Sequence, residues 1–417
     1  MKTFRFFVPK INHTGDSLAF LAFLLYLPSS LLFKQGLSVS IALLCLAGVL
    51  ALWCGQKTVK PWLFLWIGLF PLLGIILAFG GYAPPYTLER AAKFFLLIGV
   101  SYFVFFKTRK LPFREKALFY GVVIGIFLCT FTILTDFYFL KVLGHTNNFK
   151  KKMDTFSLLL SLSLWPLIYV FFHTKNSFYK LVLFILIFSA VYLIFFQLEN
   201  HTARYCLVIG LIVAGSVYLF QQRLFKILLS FCVIGFILGM PWIIKKAFDV
   251  NTISRHIPIE KGSFYHRVVI WDYVAQQIIS HPLKMRGFDM MRGEEIKQKS
   301  QDWNKAKSKI ISSEEIKQKN LFQVPHHPHN AALQIWQEFG VWGALLFCIV
   351  LLYIIHLIDR FPTSLGRALA YSLFVVGSSY FHVSYGLWET KWWFILAIIF
   401  GLLYNLDSKS QAKFIKE

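Results

Sequence analysis

Polar residues along this chain fall in short breaks between long apolar runs. By hydropathy the runs define about twelve segments, at 17–33, 37–54, 62–80, 91–106, 117–139, 156–172, 180–197, 203–220, 224–243, 331–358, 366–385 and 391–405. Blocks such as Leu37–Cys54 and Leu181–Phe196 are apolar on every side rather than along one stripe. A helix of that kind is buried or lies in lipid, and about 20 apolar residues are what a helix needs to cross the hydrocarbon core. The pattern predicts an all-α polytopic membrane protein of about twelve transmembrane helices. One long hydrophilic stretch, from about Lys245 to Pro328, interrupts the series before the tenth span. The chain thus divides into spans one to nine over 1–244, a large loop over 245–330, and spans ten to twelve with a polar tail over 331–417.

Composition excludes a soluble alternative. Of 417 residues 57% are hydrophobic and 15% charged, too few charges to wet the surface of a soluble domain this long. The net charge of +23 is not a nucleic-acid stripe, because the basic residues sit in the breaks between spans. Lys57 and Lys60, the run Lys107 to Lys116, Arg223 and Lys226, and Arg360 and Arg367 fall on one side of an even-span arrangement. The positive-inside rule makes that side, with both termini, cytoplasmic and puts the 245–330 loop on the far side. Lys150-Lys151-Lys152 breaks the rule, by a misplaced span or as a cluster facing an anionic partner. Lys2, Arg5 and Lys10 precede the first run without a small-residue cleavage site, so that run reads as a span and not a removed signal. All six cysteines lie in or at the ends of apolar runs, which fits inert buried thiols better than a disulfide framework or a metal site.

Candidate chemistry concentrates outside the apolar cores, in three places. The first is His326-His327-Pro328-His329-Asn330, just before the tenth span. Asn330 is a candidate N-cap for that span, which sets His329 at the helix mouth. Gly340 and Gly343 follow, a spacing that lets another helix approach closely. No local carboxylate or cysteine joins the histidines and Pro328 breaks helical spacing, so one catalytic imidazole is favoured over a metal site. The second place is Arg267 to Trp271, then His281-Pro282 and Arg286-Gly287. Arg267 and Trp271 are four apart, on one helix face. A guanidinium there suits a phosphate; equally, it suits snorkelling to lipid headgroups. The third is Glu199-Asn200-His201-Thr202-Ala203-Arg204, where an arginine at the start of a span calls for a cavity or partner. Glu338, two turns into the tenth span, reads as a structural polar group in preference to a catalyst. The hexapeptide Glu-Glu-Ile-Lys-Gln-Lys, at 294–299 and 314–319, reads as two short solvated helices with i,i+4 pairs. The residues alone thus describe an outward-facing membrane enzyme or carrier for an anionic, phosphate-bearing lipid.

His329-Asn330, nine residues, then Gly340-x-x-Gly343 resembles the signature of bacterial O-antigen ligases, within a wider family of O-antigen polymerases and protein O-glycosyltransferases. Arg267, Trp271, His281-Pro282 and Gly287 are similar to the same family's segment in its large periplasmic loop. The architecture resembles the family over most of the chain, the motifs over roughly 267–343. One departure is that Arg204 follows Ala203 where the family carries a Ser-Arg pair, so either Arg204 or His201 fills that place. The resemblance implies a bacterial inner-membrane glycosyltransferase with its site on the periplasmic side. It would move a glycan from undecaprenyl diphosphate to a lipid A-core hydroxyl, inverting the anomeric centre without metal or cofactor. In that scheme His329 is the general base, Arg267 stabilises the leaving diphosphate, and Arg204, His201, Trp271, Arg286 and Asn330 bind substrate. A polymerase or a protein-acceptor enzyme of the same family stands as the alternative. A lipid-linked glycan flippase is the alternative of another class, disfavoured because the span interiors are nearly free of charge.

Overall fold

A computed structural model describes residues 146–198, 200–220, 222–247, 262–288, 327–384 and 386–414, with part of a helix between 121 and 130. The first four spans, most of the fifth, the lysine-rich insert with its hexapeptide repeats, Glu199 and His326 lie outside the described residues. Within them the chain is helical, with no strand. Helices α1 (Thr146–His173), α2 (Ser177–Tyr192), α3 (His201–Leu219) and α4 (Gln222–Ala247) come first. Then come α5 (Gly262–Ser280), α6 (Ala331–Ile358), α7 (Ser364–Val383) and α8 (Thr390–Phe414). Among the described residues five segments are long and apolar enough to cross a membrane: Met153–His173, Ser177–Gln197, His201–Leu219, Gln222–Ala247 and Ala331–Ile358. Each coincides with a hydropathy run read above.

Several polar side chains in these helices bond to their own helix's carbonyls, which suits a lipid setting. Ser157, Ser161 and Ser163 of α1 are buried and donate to the carbonyls of Asp154, Leu158 and Leu159. Pro241 in α4 cannot donate to the carbonyl four residues back; the Trp336 indole of α6 donates to it instead, at 2.8 Å from Ile237 O. Helices α1, α3 and α7 meet at Gly210, where an added Cβ would lie 2.5 Å from Trp165 and 2.7 Å from Val376. Outward, α2, α3, α4 and α6 expose Phe188, Ile212, Phe231 and Ile349, an apolar face too continuous for water.

Short links reverse the chain from α1 through α4 and again from α6 through α8, so the two ends of the bundle differ in content. At one end, Lys226 pairs with Asp359, and Tyr371 donates to the same carboxylate at 2.7 Å. There too, Asp407 accepts from Tyr169 at 3.0 Å and from the Thr363 N–H at 3.0 Å. At the other end lie the starts of α1, α3 and α6, the ends of α2, α4 and α7, and all of the candidate chemistry.

Candidate functional site

The loop before α6 is built around one unusual backbone. His329 has φ of 52°, the one positive φ outside glycine among the described residues. That left-handed geometry is tolerated by few residues and persists where its surroundings enforce it. Four bonds enforce it here. Asn330, itself buried, caps α6 by accepting from the Leu333 N–H at 3.1 Å. The Trp271 indole donates to Pro328 O at 2.8 Å. The His329 N–H donates to His327 Nδ1 at 3.2 Å, and the two rings meet edge-to-face. His329 Nδ1 lies 3.1 Å from Ser384 O, at the end of α7.

That last contact fixes the tautomer. A carbonyl oxygen only accepts, so Nδ1 carries the proton and Nε2 of the neutral ring keeps its lone pair. Burial pushes the His329 pKa below its ordinary value, opposed by the Ser384 bond; the Arg267 charge lowers it further and the Glu389 charge raises it. Burial likewise lowers the Arg267 pKa, though a guanidinium stays charged. The Arg267 charge is close enough to act on His329.

A second loop locks onto a break in α6. Gly340 has φ 62° and ψ −158°, so the helix is interrupted there. Glu338 O, released from the helical ladder, accepts from the N–H groups of Arg286 at 2.7 Å and Gly287 at 2.9 Å. Val341 N–H donates to Pro282 O at 2.9 Å. This corrects the glycine-spacing expectation. What approaches Gly340 is not a helix but the Pro282–Leu283 backbone, and Gly343 faces Phe339 and Ile335 of its own helix. The two sequence motifs, on either side of residues 289–326, are halves of one joint.

The remaining candidates take different places. Arg286 turns its guanidinium onto Gln277, bonding Oε1 at 2.9 Å and the carbonyl at 3.3 Å. Arg204 donates to Leu198 O at 2.8 Å and Ile194 O at 3.1 Å, closing the carbonyls where α2 ends in a π-turn at Leu193–Gln197. His201 is exposed at the start of α3. Its neighbour Thr202 accepts from Ser384 Oγ at 3.2 Å, so the start of α3 and His329 share Ser384 as a neighbour. Lys245 pairs with Asp272 at 3.5 Å, tying α5 to the end of α4. Among the described residues no group of three or more His, Cys, Asp or Glu side chains gathers at metal-binding separation.

Sequence reasoning missed the α7–α8 turn, 384–389. Ser384 orients His329, Gly386 lies against the His327 ring, and Glu389 acts on His329 through its charge. The available signal was the string Gly386-Leu387-Trp388-Glu389, a charged and aromatic break between two apolar runs.

Comparison with known proteins bears on this geometry. Residues 202–348 match a family model described as O-antigen ligase, a stretch that holds Arg204, Arg267, His329 and Gly340. A protein of Rickettsia typhi, provisionally named a polysaccharide ligase, is 28% identical over 70% of this chain and 68% of its own length. Provisionally named polysaccharide ligases of Rickettsia prowazekii and Rickettsia bellii are 26% and 27% identical, over 78% and 75% of this chain and 75% and 71% of theirs. No solved structure matches. The motif pair joined at Gly340 and the histidine loop beside it fall within the matched stretch, so segment 202–348, which carries them, resembles the O-antigen ligase family.

Proposed function

We propose that the protein transfers a glycan from undecaprenyl diphosphate to a hydroxyl of lipid A-core, at the periplasmic face of the bacterial inner membrane. The observation that carries this reading is the His329 ring, its Nδ1–H held on Ser384 O and its Nε2 left as a base beside the Arg267 cation. In the reaction the acceptor O–H gives its proton to Nε2 while the oxygen attacks the anomeric carbon from the face opposite the diphosphate. The bond from that carbon to the diphosphate oxygen breaks, and the leaving group takes the electron pair. A base with a pKa near or below neutral works at ambient pH. A fixed cation in a water-poor site counters the charge that grows on the diphosphate. No step requires a metal or a cofactor. Arg204 and Arg286, whose guanidiniums bond to main-chain and Gln277 oxygens at this end of the bundle, add positive potential that favours an anionic lipid, and His201 is exposed at the same end.

The experiment is transfer by purified protein in nanodiscs, with an undecaprenyl-diphosphate glycan, lipid A-core and chelator. A slower-migrating lipid A product, lost in His329→Ala and Arg267→Ala, is the expected result. Elongation of the donor glycan instead would make the protein a polymerase, and transfer to a protein would reassign the acceptor. Absence of chemistry on every acceptor would overturn the enzymatic reading in favour of a carrier.

A further inference from the structure

Glu338 sits where two loops of the site converge. Its carbonyl holds the 281–288 loop through Arg286 and Gly287. Its carboxylate, fully buried, accepts from Gln334 Nε2 at 3.0 Å and from Trp388 Nε1 at 2.6 Å. Gln334 in turn uses its Oε1 to accept from the Leu387 N–H at 2.9 Å. Two consecutive residues of the α7–α8 turn are therefore fixed to α6 by one Gln–Glu pair. The same turn presents Ser384 O to His329 Nδ1 and packs Gly386 against His327. Phe288 lies tilted against the Trp388 ring and Phe339 meets it edge-to-face, so the contact also reaches the 281–288 loop.

We infer that Glu338 is a positioning residue for the transfer reaction, acting through the 384–389 turn to hold His329 in its base-competent orientation, with Gln334 and Trp388 as its partners. The inference rests on His329 being the base. The carboxylate need not touch either substrate; what matters is that it accepts two hydrogen bonds at once. A carboxyl to amide change at 338 supplies one acceptor and one NH2 group, so either Gln334 or Trp388 faces a donor. Flipping Gln334 only moves the conflict to the Leu387 N–H. Exchanging the two types, Gln334→Glu with Glu338→Gln, restores these bonds, with only the one between 334 and 338 reversed. The new carboxylate at 334 accepts from Leu387 and from the amide at 338, whose oxygen accepts from Trp388. The net charge of the pair is unchanged.

The test reads His329 directly, with and without catalysis. Full-length protein in nanodiscs is treated with diethylpyrocarbonate near neutral pH, and acylation of the His329 peptide is followed by mass spectrometry beside the transfer rate. Glu338→Gln and Trp388→Phe should each label His329 several-fold faster. They should lower kcat, by up to on the order of 100-fold, the penalty of a displaced catalytic group, with little change in KM. The double exchange should return both readouts toward wild type. Unchanged His329 labelling in both single variants would overturn the inference. So would a folded double exchange that stays inactive, since the carboxylate at 338 would then act itself. A wild-type protein without transfer activity would remove the ligase reading, and the labelling pattern would still decide whether Glu338 holds His329.

Discussion

Replacing Gly340 by alanine probes the joint on which the site is built. The native φ of 62° with ψ −158° lies in a region that residues bearing a Cβ occupy only under strain, at about 1–3 kcal/mol. The added methyl would also lie 2.9 Å from Pro282 O and 3.1 Å from the Leu283 carbonyl carbon. Both are backbone atoms, so the 281–288 loop must retreat. Retreat breaks the Val341–Pro282 bond and weakens the two bonds from Arg286 and Gly287 to Glu338 O. With each bond contributing about 0.5–1.5 kcal/mol, the total is roughly 2–6 kcal/mol. Thermal unfolding in nanodiscs, beside a transfer assay at a temperature where the variant is folded, measures both consequences. Gly235→Ala is the internal control, because nothing lies within 4 Å of the Cβ it would add and alanine suits a helix interior. If Gly340→Ala melts and transfers like Gly235→Ala, α6 can close its break and the joint does not organise the site.

Five further outcomes follow from the same geometry. The pH profile of transfer should show an acid limb below the ordinary histidine pKa of about 6.5, because burial depresses His329 and only the neutral ring accepts a proton. The same depression makes a stability term that is fully present above about 6.5 and lost as pH falls through the folded pKa; His329→Asn should flatten that part of a melting-versus-pH curve. Trp271→Phe keeps the aromatic bulk but drops the donor to Pro328 O, so kcat should fall while the melting temperature moves little. Arg204→Gln should lower the melting temperature, by about 1–3 kcal/mol of stability, because the Ile194 and Leu198 carbonyls lose their donor; a raised KM for donor with no loss of stability would instead make Arg204 a lipid-binding group. Asp407→Asn should destabilise the bundle without altering the pH profile of transfer, since its Tyr169 and Thr363 contacts lie at the end away from His329.

What was legible in the sequence follows from which interactions are periodic and local. Lipid imposes its demand on every residue of a span, so hydropathy alone placed α2 to α4 and α6 within about five residues and found the end of α1, whose polar first turns precede its run; Asn330 announced the start of α6 by the usual chemistry of a cap. The break at Gly340 was not legible, because a glycine in an apolar helix has the same letter whether it admits a neighbouring helix or a loop. Only the partner decides, and that partner, Pro282–Leu283, is separated from Gly340 by the whole hydrophilic insert. The turn at 384–389 was overlooked for a related reason. Ser384 serves His329 through a backbone carbonyl, which no side-chain pattern can report, and its distance along the chain hides the pairing. Glu338 shows both limits in one residue. Its place two turns into a span gave a structural reading, and its carboxylate accepts from Gln334 and Trp388. Its carbonyl gained a role only because the helix breaks two residues later. A site assembled from main-chain groups at interrupted helices therefore leaves its strongest trace in glycines and caps, and the residues that orient the chemistry stand beside those marks.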